Sequence, residues 1–267
     1  MALVTTDAVI VKSQRWGEAD RIVTFFTVRL GKVRGIARGA RLMKSRFGGG
    51  LEPFTCVRLT VFDRRNDALA SISNVDILES FFSLRDNLER MSAAARMVTL
   101  VEAVTAERDP SPVLFFTIRE GLRSLQTMED AGLLTLVFQI HVLGQTGFRP
   151  QIDHCASCGG GLFSVGGRFA PSAGGLVCAH CERTGWDRCL PMSPGSVAFV
   201  QQARRMKFSL ATRLKADGQV REELEKITTA YISVVVGKRL PALDFLVAEP
   251  QQVPYGTGQE DHLPENK

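Results

Sequence analysis

A chain of 267 residues, 45% of them hydrophobic, can bury one large core or two modest ones and is expected to fold. The net charge of +5 and a pI near 9.0 lean toward an anionic partner such as nucleic acid without selecting one. Six cysteines, four of them in two close pairs, argue against a disulfide framework and for metal binding in a reducing, cytoplasmic setting.

Segments 4–11, 21–28, 32–37, 55–62 and 68–77 are short, β-branched or aromatic, and parted by Gly, Asp, Asn or charged turns, so residues 1–80 are expected to form five strands. Along the fourth, Val57, Leu59 and Val61 share one face while Arg58 and Thr60 take the other. The count predicts a small barrel, and an OB fold and an SH3-like barrel satisfy it equally. Arg29, Lys32, Arg34, Arg38, Arg41, Lys44 and Arg46 fall in one span that contains no Asp or Glu. Gly31, Gly35, Gly39 and Gly48-Gly49-Gly50 would let backbone amides approach a phosphate chain there. The span is therefore the expected nucleic-acid contact; the plainer reading is a solvated basic loop. Trp16 and Phe47 are expected to be exposed and to stack on unpaired bases, whereas at least one of the adjacent Phe25 and Phe26 must face a core.

The run Arg15-Trp16-Gly17-Glu18-Ala19-Asp20-Arg21, followed by Thr27, Gly31-Lys32, Ala37-Arg38-Gly39-Ala40-Arg41, Lys44-Ser45-Arg46 and Leu51-Glu52-Pro53-Phe54, resembles the N-terminal domain of the RecO family of recombination-repair mediators. The resemblance implies an OB fold where the strand count only permits one.

From about Leu84 the period changes. Leu88, Met91, Ala95, Val98, Val101 and Val104 recur at three and four residues and predict a helix that stops before Asp109-Pro110-Ser111-Pro112, read as a loop. Phe115, Ile118, Leu122 and Leu125 predict a second helix, and residues 133–143 a third. Such stripes are expected to be core, although a groove between helices can take an apolar peptide. The longest apolar run, 132–144, contains Gln139 and His141 and is short of the roughly 20 residues a membrane span needs. Residues 1–7 lack the basic flank and apolar stretch of a secretion signal, so no membrane partner is expected.

Leu143-Gly144-Gln145-Thr146-Gly147-Phe148-Arg149-Pro150, leading through Gln151-Ile152-Asp153-His154 into the first cysteine pair, again resembles RecO. Cys155-x-x-Cys158 and Cys178-x-x-Cys181 are separated by a gap within the roughly 15–20 residues used by four-thiolate zinc sites. The Gly-rich insert, with expected strands at 162–169 and 176–177, cannot bury a core alone, so zinc would contribute much of its folding free energy. His154 and His180 sit beside the ligands without being needed, and Cys56 and Cys189 read as ordinary small side chains. A catalytic zinc keeps an open position, which four thiolates do not leave. His180-Cys181-Glu182 lacks the P-C-x-x-C of zinc deaminases. Gly31-Lys32 and Gly237-Lys238 lack the rest of a phosphate-binding loop, and no nucleophile elbow occurs, so neither enzymatic activity nor a small-molecule substrate is expected.

Ser193-Pro194 starts a further helix carrying Val197, Val200 and Ala203, and the cluster Arg204, Arg205 and Lys207 suits a helix C-terminus. A last helix at about 220–237 places Leu224, Ile227, Tyr231, Val234 and Val235 on one stripe. Residues 238–246 resemble the closing motif of RecO, and the tail from Glu249 is expected to be disordered.

The expected architecture is a multidomain α+β chain: an OB-fold barrel over 1–80, an α-helical domain over 81–248 with a four-cysteine zinc ribbon inserted at about 151–185, and a disordered tail over 249–267. The resemblance implies a bacterial, cytoplasmic, nucleoid-associated mediator of the RecF pathway. It would bind single- and double-stranded DNA, anneal complementary strands and, with RecR, help load recombinase onto DNA coated by single-strand-binding protein. The competing expectation is a zinc-containing protein-interaction adaptor with incidental DNA binding.

Overall fold

Side-chain alternation along the first strand builds two cores at once. In β1 (Ala2–Trp16), Ala8 and Ile10 turn into the barrel, where they meet Val23, Phe25, Val33, Val57, Leu59 and Val61. Val9 and Val11 turn the other way and join Phe26 and Cys56 in a core shared with the helices. Phe25 and Phe26 are thus both fully buried, one on each side of the sheet. The computed structural model describes residues 2–63, 69–161, 166–183, 188–216, 218–237 and Leu240. The start of the expected strand at 68, part of that at 162–169, and the closing motif and tail beyond Leu240 lie outside the described residues.

The barrel continues through β2 (Asp20–Thr27), β3 (Gly31–Ala37), β4 (Cys56–Asp63) and β5 (Ala70–Glu79). It closes in the order β1-β2-β3-β5-β4, with β4 antiparallel to β1 and a short parallel pairing of β3 to β5. This is the Greek-key order of an OB barrel, and it decides between the two barrels the strand count allowed. β1 is longer than expected because it serves two neighbours: residues 2–9 pair with β4 and residues 8–16 with β2. A register shift between Ile10 and Lys12 accommodates the bend.

Three helices follow the barrel: α1 (Leu88–Val104) and α2 (Pro112–Leu125) lie against it, and α3 (Ala131–Gln145) packs on both of them. Each starts on a side-chain cap, Asn87, Ser111 and Asp130 respectively, which accepts a backbone N–H three residues on. The expected loop 109–112 is therefore half loop and half helix start, with Pro112 in the first turn. Leu88 and Met91, expected on the buried stripe of α1, are exposed; the packed face is Ala94, Met97, Leu100 and Val101. The first turn of α1 simply overhangs its neighbours. α3 is buried nearly all round and forms the centre of the layer.

After α3 come β6 (Gly167–Ala170), β7 (Gly175–Val177), the short α4 (Ala179–Arg183) and β8 (Leu190–Met192), which pair in the order β7-β6-β8. β8 has no counterpart among the expected strands. The ribbon repeats the two-faced logic of β1. Phe169, Leu176 and Met192 enter the helical core, while Ala170 and Val177 cover Cys155 and Cys181 on the opposite face. α5 (Pro194–Arg205), α6 (Phe208–Ala211) and α7 (Gly218–Val236) complete the body. On α7 Leu224, Ile227 and Tyr231 are buried as expected, but Val234 is exposed and Ile232 takes its place in the core.

The barrel is fastened to the helices at specific points. The Lys32 ammonium donates to Glu102 O (2.8 Å) and Thr105 O (2.6 Å) at the C-terminal end of α1, where the helix dipole favours a cation. Gly31, at φ +66°, lies so close to Asp109 that a Cβ would fall 2.3 Å from its carbonyl oxygen. Glu79 at the end of β5 accepts from Arg119 (2.6 Å) and Arg123 (2.8 Å) of α2.

Candidate nucleic-acid interface and metal centre

The cations of the basic span divide by how much of their charge the protein itself uses. Lys32 is engaged with α1 and Glu107, and its side chain is only 12% exposed. It is a fastening between barrel and helices rather than an open phosphate contact, which the sequence could not show because its partners lie about seventy residues away. Arg29 donates to Thr5 O at 3.2 Å. Arg41 ties the β3–β4 loop to the β1–β2 turn: Nη1 donates to Gly17 O (3.2 Å) and Glu18 O (2.8 Å), and its backbone N–H donates to Ala19 O (2.8 Å). Arg46 donates to Ile72 O at 3.3 Å and lies over the Phe47 ring, 4.9 Å from its centroid. Arg34, Arg38 and Lys44 are exposed with no intramolecular partner among the described residues. These three present unspent charge to solvent.

The two aromatics expected to stack on bases separate sharply. Trp16 is 56% exposed at the β1–β2 turn, whereas Phe47 is 3% exposed and closes the barrel interior beside Leu51. The single turn of 3-10 helix at Gly48–Leu51 folds the loop back under the barrel and carries Phe47 inside. Phe47 is thus a core residue, and its ring supports Arg46 from below. The tip of the same loop exposes Leu42 and Met43, which sequence reasoning passed over.

The four cysteines converge. The Sγ atoms of Cys155, Cys158, Cys178 and Cys181 all lie within 4.8 Å of one another, and Cys158 Sγ is 3.9 Å from Cys178 Sγ. Metal–sulfur bonds of about 2.3 Å at a tetrahedral zinc put sulfurs roughly 3.8 Å apart, so the set fits such an ion. The first pair sits in a tight turn closed by Gly159 N–H to Cys155 O (2.9 Å) and Cys155 N–H to Gly160 O (2.9 Å); the second flanks the start of α4. Burial would raise the Cys155 thiol, but N–H groups of Cys158, Cys178 and Ser157 outweigh it and hold the group down to about 6. Cys181 goes the other way: the Ser157 hydroxyl favours its thiolate, yet burial and the neighbouring sulfurs together push it up to about 12. Four sulfurs this close cannot all ionise alone, and a dication resolves the conflict. All four positions around such an ion would be filled by protein, which leaves none for an activated water. Cys189 packs beside the cluster without joining the ligand set.

Asp153 binds Arg204 and Gln201 of α5, and Tyr231 of α7 donates to Phe148 O (3.2 Å) while its ring meets Phe169 edge-on at 5.7 Å. These contacts hold the ribbon to the helices, and they engage Arg204 of the basic cluster expected at the C-terminal end of α5. Nearby, an open groove of about 810 Å³ runs between α2, α3 and α5, lined by the apolar Val113, Phe116, Ile140 and Phe208 and by charged groups that include Arg149, Lys207 and Glu120. Val113 and Phe116 are more than half exposed, although they stand beside the buried stripe of α2.

Comparison with known proteins covers the whole of this architecture. Residues 1–81 match the family model described as Recombination protein O N terminal, and residues 85–244 match Recombination protein O C terminal. The chain is 33% identical over 234 residues to a DNA repair protein RecO of Rubrobacter xylanophilus, covering 87% of this chain and 92% of that protein. It is 31% identical over 249 residues to that of Symbiobacterium thermophilum, covering 92% and 97%, and 30% identical over 246 residues to that of Anaeromyxobacter dehalogenans, covering 92% and 96%. With its OB barrel, its helical layer and its four-cysteine cluster, the chain belongs to the RecO family of DNA repair proteins.

Proposed function

We propose that this protein is a non-enzymatic DNA-binding mediator of recombinational repair that anneals complementary strands. With RecR, it would help load recombinase onto DNA coated by single-strand-binding protein, in the bacterial cytoplasm at the nucleoid. The observation that carries the reading is the set of exposed cations Arg34, Arg38 and Lys44 on an OB barrel, without a partner among the described residues and with no acid between Asp20 and Glu52 in the sequence. Annealing needs no covalent chemistry. Two strands repel through their phosphates, and a surface that neutralises both lowers that repulsion while leaving the base edges free to pair. The four cysteines hold a structural zinc in this reading. The groove between α2, α3 and α5, lined by apolar side chains and by more cations than acids, has the chemistry to take the acidic tail of single-strand-binding protein.

Titration of labelled single-stranded DNA across a salt series tests this. The variant Arg34→Ala/Arg38→Ala/Lys44→Ala is expected to bind more weakly and to lose about 2 from the log–log salt slope, since each single-strand phosphate contributes roughly 0.7. Arg41 is left in place because it ties two loops together. Unchanged affinity and slope would favour the adaptor reading, in which the basic surface meets an acidic protein.

A further inference from the structure

Two apolar side chains stand where the barrel's charge is densest. Between β3 and β4, consecutive tight turns closed by Leu42 N–H to Gly39 O (3.1 Å) and Ser45 N–H to Leu42 O (2.9 Å) carry the chain outward. Gly39, at φ +68°, allows the first of them. Leu42 is 60% exposed and Met43 103%. Leu42 leans over Gly39, its Cδ1 3.3 Å from where a Cβ would be, so it forms the shoulder of the projection and Met43 the point.

This tip is held at both ends. Before it, Arg41 is bonded to the carbonyls of Gly17, Glu18 and Ala19; after it, Arg46 bonds Ile72 O and rests on the buried Phe47. Single exposed apolar residues are ordinary, but two adjacent ones on an anchored loop need a reason. Exposed Arg38, Arg41, Lys44 and Arg46 flank them along the chain, and exposed Trp16 stands at the neighbouring turn to which Arg41 is tied.

We propose that Leu42 and Met43 form an apolar wedge pressed against the unstacked bases of single-stranded DNA while the flanking cations hold the adjoining phosphates. The inference rests on the DNA-binding reading above and adds a contact to the bases. A single strand alternates phosphate charge with apolar base faces at every nucleotide, which matches a surface that alternates cations with apolar side chains. The methionine thioether is polarisable and packs well on aromatic rings, and small apolar wedges are known to part neighbouring bases. The wedge makes a contribution that salt does not screen, distinct from the phosphate contacts.

The experiment uses the full chain and an oligothymidylate strand carrying one 2-aminopurine, whose emission rises when it is unstacked. Wild-type protein is expected to raise the emission several-fold. Leu42→Ser/Met43→Ser is expected to leave it near the free-strand level and to weaken binding about tenfold at every salt concentration, with an unchanged log–log slope. Equal emission and affinity in the two proteins overturn the proposal while sparing the DNA-binding reading, and a reduced slope overturns it by assigning the tip to phosphates. Failure of the wild-type chain to bind the strand overturns the reading beneath it. Met43→Trp gives a second measurement on an exposed position: its added fluorescence, taken against the wild-type background, is expected to change on oligothymidylate. A change only with anionic phospholipid vesicles would assign the tip to a lipid surface and overturn the proposal.

Discussion

The basic corner of the barrel and the four-cysteine ribbon treat their polar groups in opposite ways. In the ribbon, among the described residues, the central polar groups engage one another: four sulfurs face one another, Arg168 pairs with Glu182 at 2.8 Å, and Asp153 takes both Arg204 and Gln201. In the corner, Arg34, Arg38 and Lys44 reach solvent with no partner among the described residues, and Trp16 and Met43 stand exposed beside them. Groups that satisfy one another stabilise a fold; groups left unsatisfied on a rigid support are available to something else. The cysteines are therefore the clearest motif in the chain yet belong to its architecture, while the less conspicuous loop carries the proposed binding surface.

The largest test of this division is metal removal. Zinc in comparable small sites contributes on the order of 10 kcal/mol of folding free energy, and the ribbon's own apolar cluster is small. Chelation, or Cys155→Ser, is expected to abolish hydrogen-exchange protection across β6, β7 and α4 while leaving that of the barrel and the salt slope for single-stranded DNA unchanged. If DNA affinity fell with the metal, the ribbon would be part of the DNA path and the contrast would break.

A smaller test separates the two aromatics that sequence had grouped together. Phe47→Ala empties a site inside the barrel and is expected to reduce stability by about 3–5 kcal/mol. Trp16→Ala is expected to change stability by less than about 0.5 kcal/mol and to weaken single-strand binding by about 1–2 kcal/mol. Thermal melts and DNA titrations of both variants check the pair. Comparable destabilisation by the two would mean that Trp16 is also structural.

What sequence shows well is what depends on local spacing. Two Cys-x-x-Cys turns present their ligands regardless of what lies between, and β2, β3, β4 and β5 all begin and end within two residues of expectation because period-two alternation and turn residues bound them. What it misses depends on distant partners. Phe47 looks like a loop aromatic until the turn at Gly48–Leu51 folds it under the barrel. Lys32 looks like a phosphate contact until the end of α1 arrives to accept its hydrogen bonds. β8 is three residues long with a proline at its centre, and it becomes a strand only by pairing with β6. Leu88 and Val234 fit their helical stripes, but the first turn of α1 leaves Leu88 exposed, and at the end of α7 Val235 and Val236 pack on the core while Val234 faces solvent. The groove is invisible for a related reason: it is the space left over α3 where α2 and α5 stand apart.

The finest test is acid. Glu223 of α7 accepts from Ser196 Oγ (2.6 Å) and Ser193 N (2.8 Å), where the chain leaves β8 and enters α5. Desolvation raises its pKa, but these hydrogen bonds prevail and hold it down to about 2, below an ordinary value of 4.5. Its contribution is therefore full above about pH 4.5 and is lost as pH falls toward 2. Glu223→Gln is expected to lower stability by about 1 kcal/mol at neutral pH, a difference that closes as pH drops through that window. Melting curves of both proteins at pH 7, 4 and 3 measure it. From Arg21 to Leu51 the barrel contains no acidic residue. One carboxylate reaches the loop, Asp20, which accepts from Gly39 N–H at 2.8 Å, but the ties of Arg41 and Arg46 go to carbonyl oxygens that do not titrate, so acid should loosen the exit of the ribbon before it frees the basic loop. Loosening in the reverse order would place the weaker internal support under the DNA surface, and the rigid presentation argued for Leu42 and Met43 would lose its basis.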